Sequence, residues 1–155
     1  MFLRQVQKYE EKFNTMLSAL NYSNFQHYTR GTVHWDDAKI LDEFKANSED
    51  FQNLVYSFAK TLMPGKVSCT GYGVVIALVA SHFNLDYKVY SGFCLPKSYQ
   101  RYDVELEGYN KGKESGKEHP VVATHVYVMC GNTCYEYYNG NTSDIEHIDC
   151  VEICK

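Results

Sequence analysis

Near the start of the chain apolar residues return every three or four positions, at Val6, Tyr9, Phe13, Met16, Leu17 and Leu20, while Glu10, Glu11 and Lys12 fill the other side. That period predicts an amphipathic helix. From Asn21 to Thr32 no period is convincing, and a short helix is expected over Trp35 to Phe44. Phe51, Leu54, Val55, Phe58 and Leu62 draw one face of a third helix, with Asn47 or Ser48 as its cap, Asp50 in its first turn and Pro64-Gly65 as its stop. Beyond Cys69 the pattern changes. The run VVIALVASHF is apolar on nearly every side, which predicts a helix packed in the centre of the domain, with Asn84 taking the left-handed position that ends it.

Strand patterns follow. YKVYSG, from Tyr87 to Gly92, and YDVEL, from Tyr102 to Leu106, read as strands, and the polar segment GYNKGKESGKEHP at 108–120 reads as a mobile loop. VVATHVYVM, from Val121 to Met129, is the clearest strand, and TCYEYY, from Thr133 to Tyr138, is expected to return antiparallel to it through a turn at Gly131-Asn132. A final strand is expected over Ile145 to Ile153. Helices first, one buried helix, then an antiparallel sheet make an α+β fold.

At 155 residues the chain has room for one domain, 1–155. Its 15 Lys and Arg against 19 Asp and Glu leave a formal charge of −4, so no general attraction to nucleic acid is expected. The longest apolar run, Val74 to Ala80, is too short to span a bilayer, and no membrane partner is expected. Charged residues appear within the first ten positions, which is unlike a signal peptide and points to the cytoplasm; six cysteines keep a secreted form open. The fourteen tyrosines, several in alternating patterns, read as sheet filler.

Cys69 opens the buried helix after a Pro-Gly break. A thiol at a helix N-terminus has its thiolate stabilised by free backbone N–H groups and the helix dipole, as a nucleophile needs. Its base must be an imidazole on firm backbone, and His125 lies inside the best strand. The others fit less well: His82 at the tail of the Cys69 helix, His119 in a loop, His27 and His34 before the core, His147 near the end. With Gly131 and Asn132 as turn residues, Glu136 lies across from Tyr127 and diagonal to His125, within reach of its ring, while Tyr138 stands opposite His125. Glu136 is the first choice to orient His125, and Asn139 the reserve if the strand ends or bulges before Gly140.

A Cys opening a buried helix, a downstream strand with glycine (VYSGF), then His-x-Tyr-x-x-x-Gly and an aromatic-plus-acid pair resembles the transglutaminase-like branch of the papain-like cysteine hydrolases. The likeness covers about Val67 to Gly140; Tyr127 stands where that family commonly has tryptophan, and Glu136 where it has aspartate. The resemblance implies acyl transfer or hydrolysis on a peptide, isopeptide or glutamine carboxamide of a protein or peptide substrate, without a cofactor. In that reading Cys69 attacks, His125 protonates the leaving amine, and a thioester forms. A second oxyanion donor is sought among Gln52, Asn53 and His34.

The alternative is a catalytically inactive relative that binds a protein or peptide in the groove between the Cys69 helix and the His125 hairpin, stabilised by zinc. Cys130-x3-Cys134 straddles the hairpin turn and Cys150-x3-Cys154 closes the chain, so four thiolates would form a structural site if the tail folds beside the hairpin. In an oxidising compartment the same cysteines would instead pair as disulfides. An acetyl-transferring enzyme of similar layout needs a large carrier pocket that is difficult to build at this length, and Gly71-x-Gly73 lacks the Lys-Ser/Thr of a phosphate loop.

Overall fold

A computed structural model describes residues 1–21, 24–27, 31–98, 101–116 and 122–153, with backbone alone at 21, 24–27 and 31–34. Helix α1 (Phe2–Asn21) buries Phe2, Val6, Phe13, Leu17 and Leu20, the stripe expected from their spacing. The aperiodic stretch after it holds an antiparallel hairpin of β1 (Asn24–His27) and β2 (Gly31–His34). Helix α2 (Asp37–Ala46) starts on the Asp36 side chain and ends on Asn47 in the left-handed conformation. Helix α3 (Glu49–Leu62) starts on Ser48, whose Oγ accepts from the Phe51 N–H. Of the two expected caps, Asn47 therefore ends one helix and Ser48 begins the next.

Helix α4 (Cys69–His82) begins in the same way, with Ser68 Oγ accepting from the Gly71 N–H. Every residue from Gly71 to Ala80 is buried, because α1, α3 and the sheet close around it. Gly73 faces the sheet and α1 closely: Val128 Cγ2 and the Phe2 ring stand 3.4 and 3.6 Å from where a Cβ would sit. Asn84 follows in the left-handed region, as expected.

Strand β3 (Lys88–Pro96) leads into helix α5 (Tyr102–Glu114). This corrects two expectations, the strand at 102–106 and the loop through 114; residues 117–120 lie outside the described residues. The alternation of Tyr102, Val104 and Leu106 imitates a strand, but Tyr102, Leu106 and Tyr109 also follow helical spacing, and only that face packs. These three join Phe93, Leu95, Val122 and Ile148 in a second small core, while Val104 is 55% exposed. Asp103 and Glu105 in the first turn and Lys111 and Lys113 in the last suit the helix dipole.

Strands β4 (Ala123–Cys130), β5 (Thr133–Tyr135) and β6 (Ile145–Ile153) complete an antiparallel sheet in the order β5-β4-β3-β6. The hairpin register is the expected one, with Val128 opposite Tyr135 and Met129 opposite Cys134. The molecule is thus a mixed α+β fold: several N-terminal helices and a four-stranded antiparallel sheet.

Candidate metal centre

Cross-strand partners share a face of the sheet, so Tyr90 with Tyr127, Gly92 with His125 and Cys94 with His147 place both histidines on one face. Glu136 reaches it because its neighbours are tied down on the opposite side. Tyr135 stacks on Phe44 at 4.8 Å and donates its hydroxyl to the Phe44 carbonyl at 2.6 Å, and Tyr137 stacks on Tyr72. With 135 and 137 held in the main core, the side chain between them turns the other way.

His125 Nε2 lies 2.9 Å and His147 Nε2 2.6 Å from the same carboxylate oxygen, Glu136 Oε1. Donor atoms of these three residues all lie within 4.8 Å of one another, in a site where His125 is 1% and Glu136 8% exposed. The His147 ring lies flat on Tyr127, centroids 4.1 Å apart, and Tyr127 lies flat on Tyr90. An irregularity in the β3–β6 pairing brings β6 into this position. There Asp149 adopts a positive φ of 51° and Cys150 sits against Gly92, where an added Cβ would come within 2.7 Å of the Cys150 Cα. Tyr109 and Lys113 of α5 hold the Asp149 carboxylate at 2.6 and 2.9 Å, which ties the irregular segment to the helix.

Burial disfavours the charged form of Glu136, but hydrogen bonds from His125 and His147 and their charge outweigh it and hold the carboxyl well below the ordinary carboxylate range. Burial likewise opposes a charged His125; the neighbouring Cys69 and Cys94 sulfurs and the Glu136 carboxylate outweigh it and raise the imidazole well above its usual value. Two imidazole nitrogens and a carboxylate oxygen therefore converge in one place, where a cation can replace the protons between them.

The structure sets Cys69 at the first turn of α4 beside His125. Burial raises the Cys69 thiol, and contact with His125 and the Val126 backbone brings it below its ordinary value. His125 Nδ1, however, is buried without a hydrogen-bond partner, and the carboxylate that was to orient the ring is shared with a second imidazole. Among the described residues the cluster of mutually close donors is His125, Glu136 and His147, and it contains no cysteine. That argues against a cysteine-based mechanism. It overturns the expected Cys69–His125–Glu136 hydrolase or acyltransferase, and with it the cysteine-protease and thiol-protease assignment.

Asn139, the reserve partner for His125, sits in a left-handed turn with its Oδ1 accepting from Lys66 Nζ at 3.0 Å. Tyr138 is edge-on to His125, centroids 6.1 Å apart. Gln52, an oxyanion candidate, is engaged with the Asn47 carbonyl and the Thr142 hydroxyl; Asn53 is exposed. The side chains of His27 and His34, and all of His119, lie outside the described residues. His82 pairs with Asp37 at 3.2 Å.

The four-cysteine zinc site also needs correction. Cys134, opposite Met129, shares the His125 face, whereas Cys130 is on the other face and packs against the main core. Cys154 lies outside the described residues, and none of the five described cysteines is disulfide-bonded. The residue missed by sequence reasoning is His147. The strand that carries it was expected, but its alignment depends on pairing with β3 and on the close approach at Gly92, and neither leaves a local signal.

No protein-family model, curated protein or solved structure matches the chain.

Proposed function

We propose that the protein is a catalytically inactive, transglutaminase-like binding module for a protein or peptide, stabilised by a divalent transition-metal ion held by His125, Glu136 and His147. The observation that carries this reading is the convergence of two imidazole nitrogens on one buried carboxylate oxygen. Two imidazoles and a carboxylate form a donor set suited to zinc. Ligands placed tetrahedrally about 2.0–2.1 Å from zinc stand roughly 3.3 Å apart, so the contacts of 2.9 and 2.6 Å need to open by roughly 0.4 and 0.7 Å, with all donor atoms already within 4.8 Å of one another. The ion would take over the role of the shared protons and pin the end of β5 to β6 across the two strands between them.

The binding surface in this reading is the cleft of about 480 Å³ beside the start of α4, lined by Lys66, Val67, Ser68, Cys69, Tyr138 and Asn139. It adjoins the metal centre through the contacts of Cys69 and Tyr138 with His125. Fixing the His125 and Glu136 side of the cleft is therefore what the ion contributes to it.

Calorimetric titration of metal-free protein with zinc tests the proposal. One ion per chain is expected, with affinity reduced at least roughly a hundredfold in His147→Ala, which removes a partly exposed ring outside the main core. Absence of stoichiometric uptake overturns the reading. So does an amide-cleaving activity of metal-free protein that disappears when Cys69 alone is alkylated.

A further inference from the structure

The centre described so far offers three ligand atoms, one fewer than a closed structural zinc site uses. Sulfur surrounds it. Cys94 lies against His125, Cys150 stands near His125 and Tyr127, and Cys134 faces the Glu136 carboxylate.

These cysteines are not equivalent. Cys94 is fully buried in β3. Cys150 Sγ is placed over Gly92 and directed at the Phe93 and Ile148 carbonyls, each 3.6 Å away. Cys130 belongs to the opposite face and the main core. Cys69 is anchored at the α4 terminus, against the backbone of Val126. Cys134 differs from all of these. It stands two residues before Glu136 on the sheet face of His125 and Tyr127, and unlike Cys94 on that face it is partly exposed. Residues two apart on extended chain project to the same side, a spacing from which both side chains reach one ion.

We infer that Cys134 supplies a sulfur ligand to the ion held by His125, Glu136 and His147, closing the site as a four-coordinate centre of two imidazoles, one carboxylate and one thiolate. The inference rests on the metal reading proposed above and specifies the ion as a thiophilic one. On loading, a metal–sulfur bond forms, the thiol S–H bond breaks and its proton leaves to solvent; no electron is transferred. Cys134 Sγ is outside the three-residue donor cluster, so closure requires it to change rotamer, a step of roughly 3 Å for a sulfur. A closed shell leaves no position for water, in keeping with a structural rather than a catalytic ion.

Cobalt(II), added alone to the metal-free full chain, reads this directly. The wild type is expected to bind one ion and to show an intense near-ultraviolet thiolate-to-cobalt band. Cys134→Ser should still bind cobalt(II) but lose the band, with zinc affinity lowered by roughly tenfold or more. His147→Ala should lose band and binding together. Stoichiometric cobalt(II) binding by the wild type without the band, or a band that survives in Cys134→Ser, overturns the Cys134 assignment while leaving the three-residue site standing. Failure of the wild type to bind cobalt(II) or zinc overturns both.

Discussion

At the scale of single residues, the site depends as much on an absent side chain as on those present. Gly92 lies opposite His125 and under the irregular segment of β6, where a Cβ would meet the Cys150 Cα at 2.7 Å and the Asp149 carbonyl oxygen at 2.8 Å. Both are backbone atoms, so a substitution must push the strand itself away. Gly92→Ala is therefore expected to destabilise the protein by about 1–3 kcal/mol in denaturant titration. It should also weaken zinc binding, since the displaced strand carries His147. Unchanged stability and unchanged zinc affinity would show that the close approach at Gly92 does not position His147. Glu136 illustrates the same dependence from the other side: its aim is fixed by Tyr135 and Tyr137, neither of which touches an ion.

At the scale of elements, α5 shows how one sequence pattern admits two structures. Tyr102, Val104 and Leu106 alternate as a strand would, yet only the helical face of Tyr102, Leu106 and Tyr109 finds apolar partners. Val104→Ala should change stability by no more than about 0.5 kcal/mol, because the side chain faces solvent. Tyr109→Ala should cost about 3 kcal/mol or more, losing both the packing on Phe93 and the bond to Asp149. A large loss at Val104 with none at Tyr109 would restore the strand reading. The remaining helices, β3, β4, β6 and the hairpin register were legible because each is written locally, in a 3.6-residue period, a cap or a turn residue. The His125–Glu136 contact followed from that register alone. The β1–β2 hairpin was not legible, its strands being only four residues each and without alternation. Nor was the meeting of His147 with Glu136, which arises from strand order and not from any stretch of sequence.

At the scale of the whole molecule, the metal reading explains why a buried carboxylate and two imidazoles are gathered on one sheet face. His125, Glu136 and His147 come from β4, the segment after β5, and β6, and among the described residues β6 is joined to the sheet only through β3. An ion at their meeting point would join one side of the sheet to the other. At a free concentration a hundred times its Kd such an ion adds about 2.7 kcal/mol to folding stability, a substantial share of what a domain of this size possesses. Among the described residues no helix is long and apolar enough to cross a membrane. The measurement that tests the metal centre most directly is X-ray absorption at the zinc edge of protein loaded with one equivalent. The expected result is a first shell near 2.0 Å from nitrogen and oxygen with the outer-shell signature of two imidazoles, and a single sulfur near 2.3 Å where Cys134 closes the site. A shell of sulfur alone, or a hydrated ion without imidazole scattering, would contradict the assignment of His125, Glu136 and His147 as the ligands.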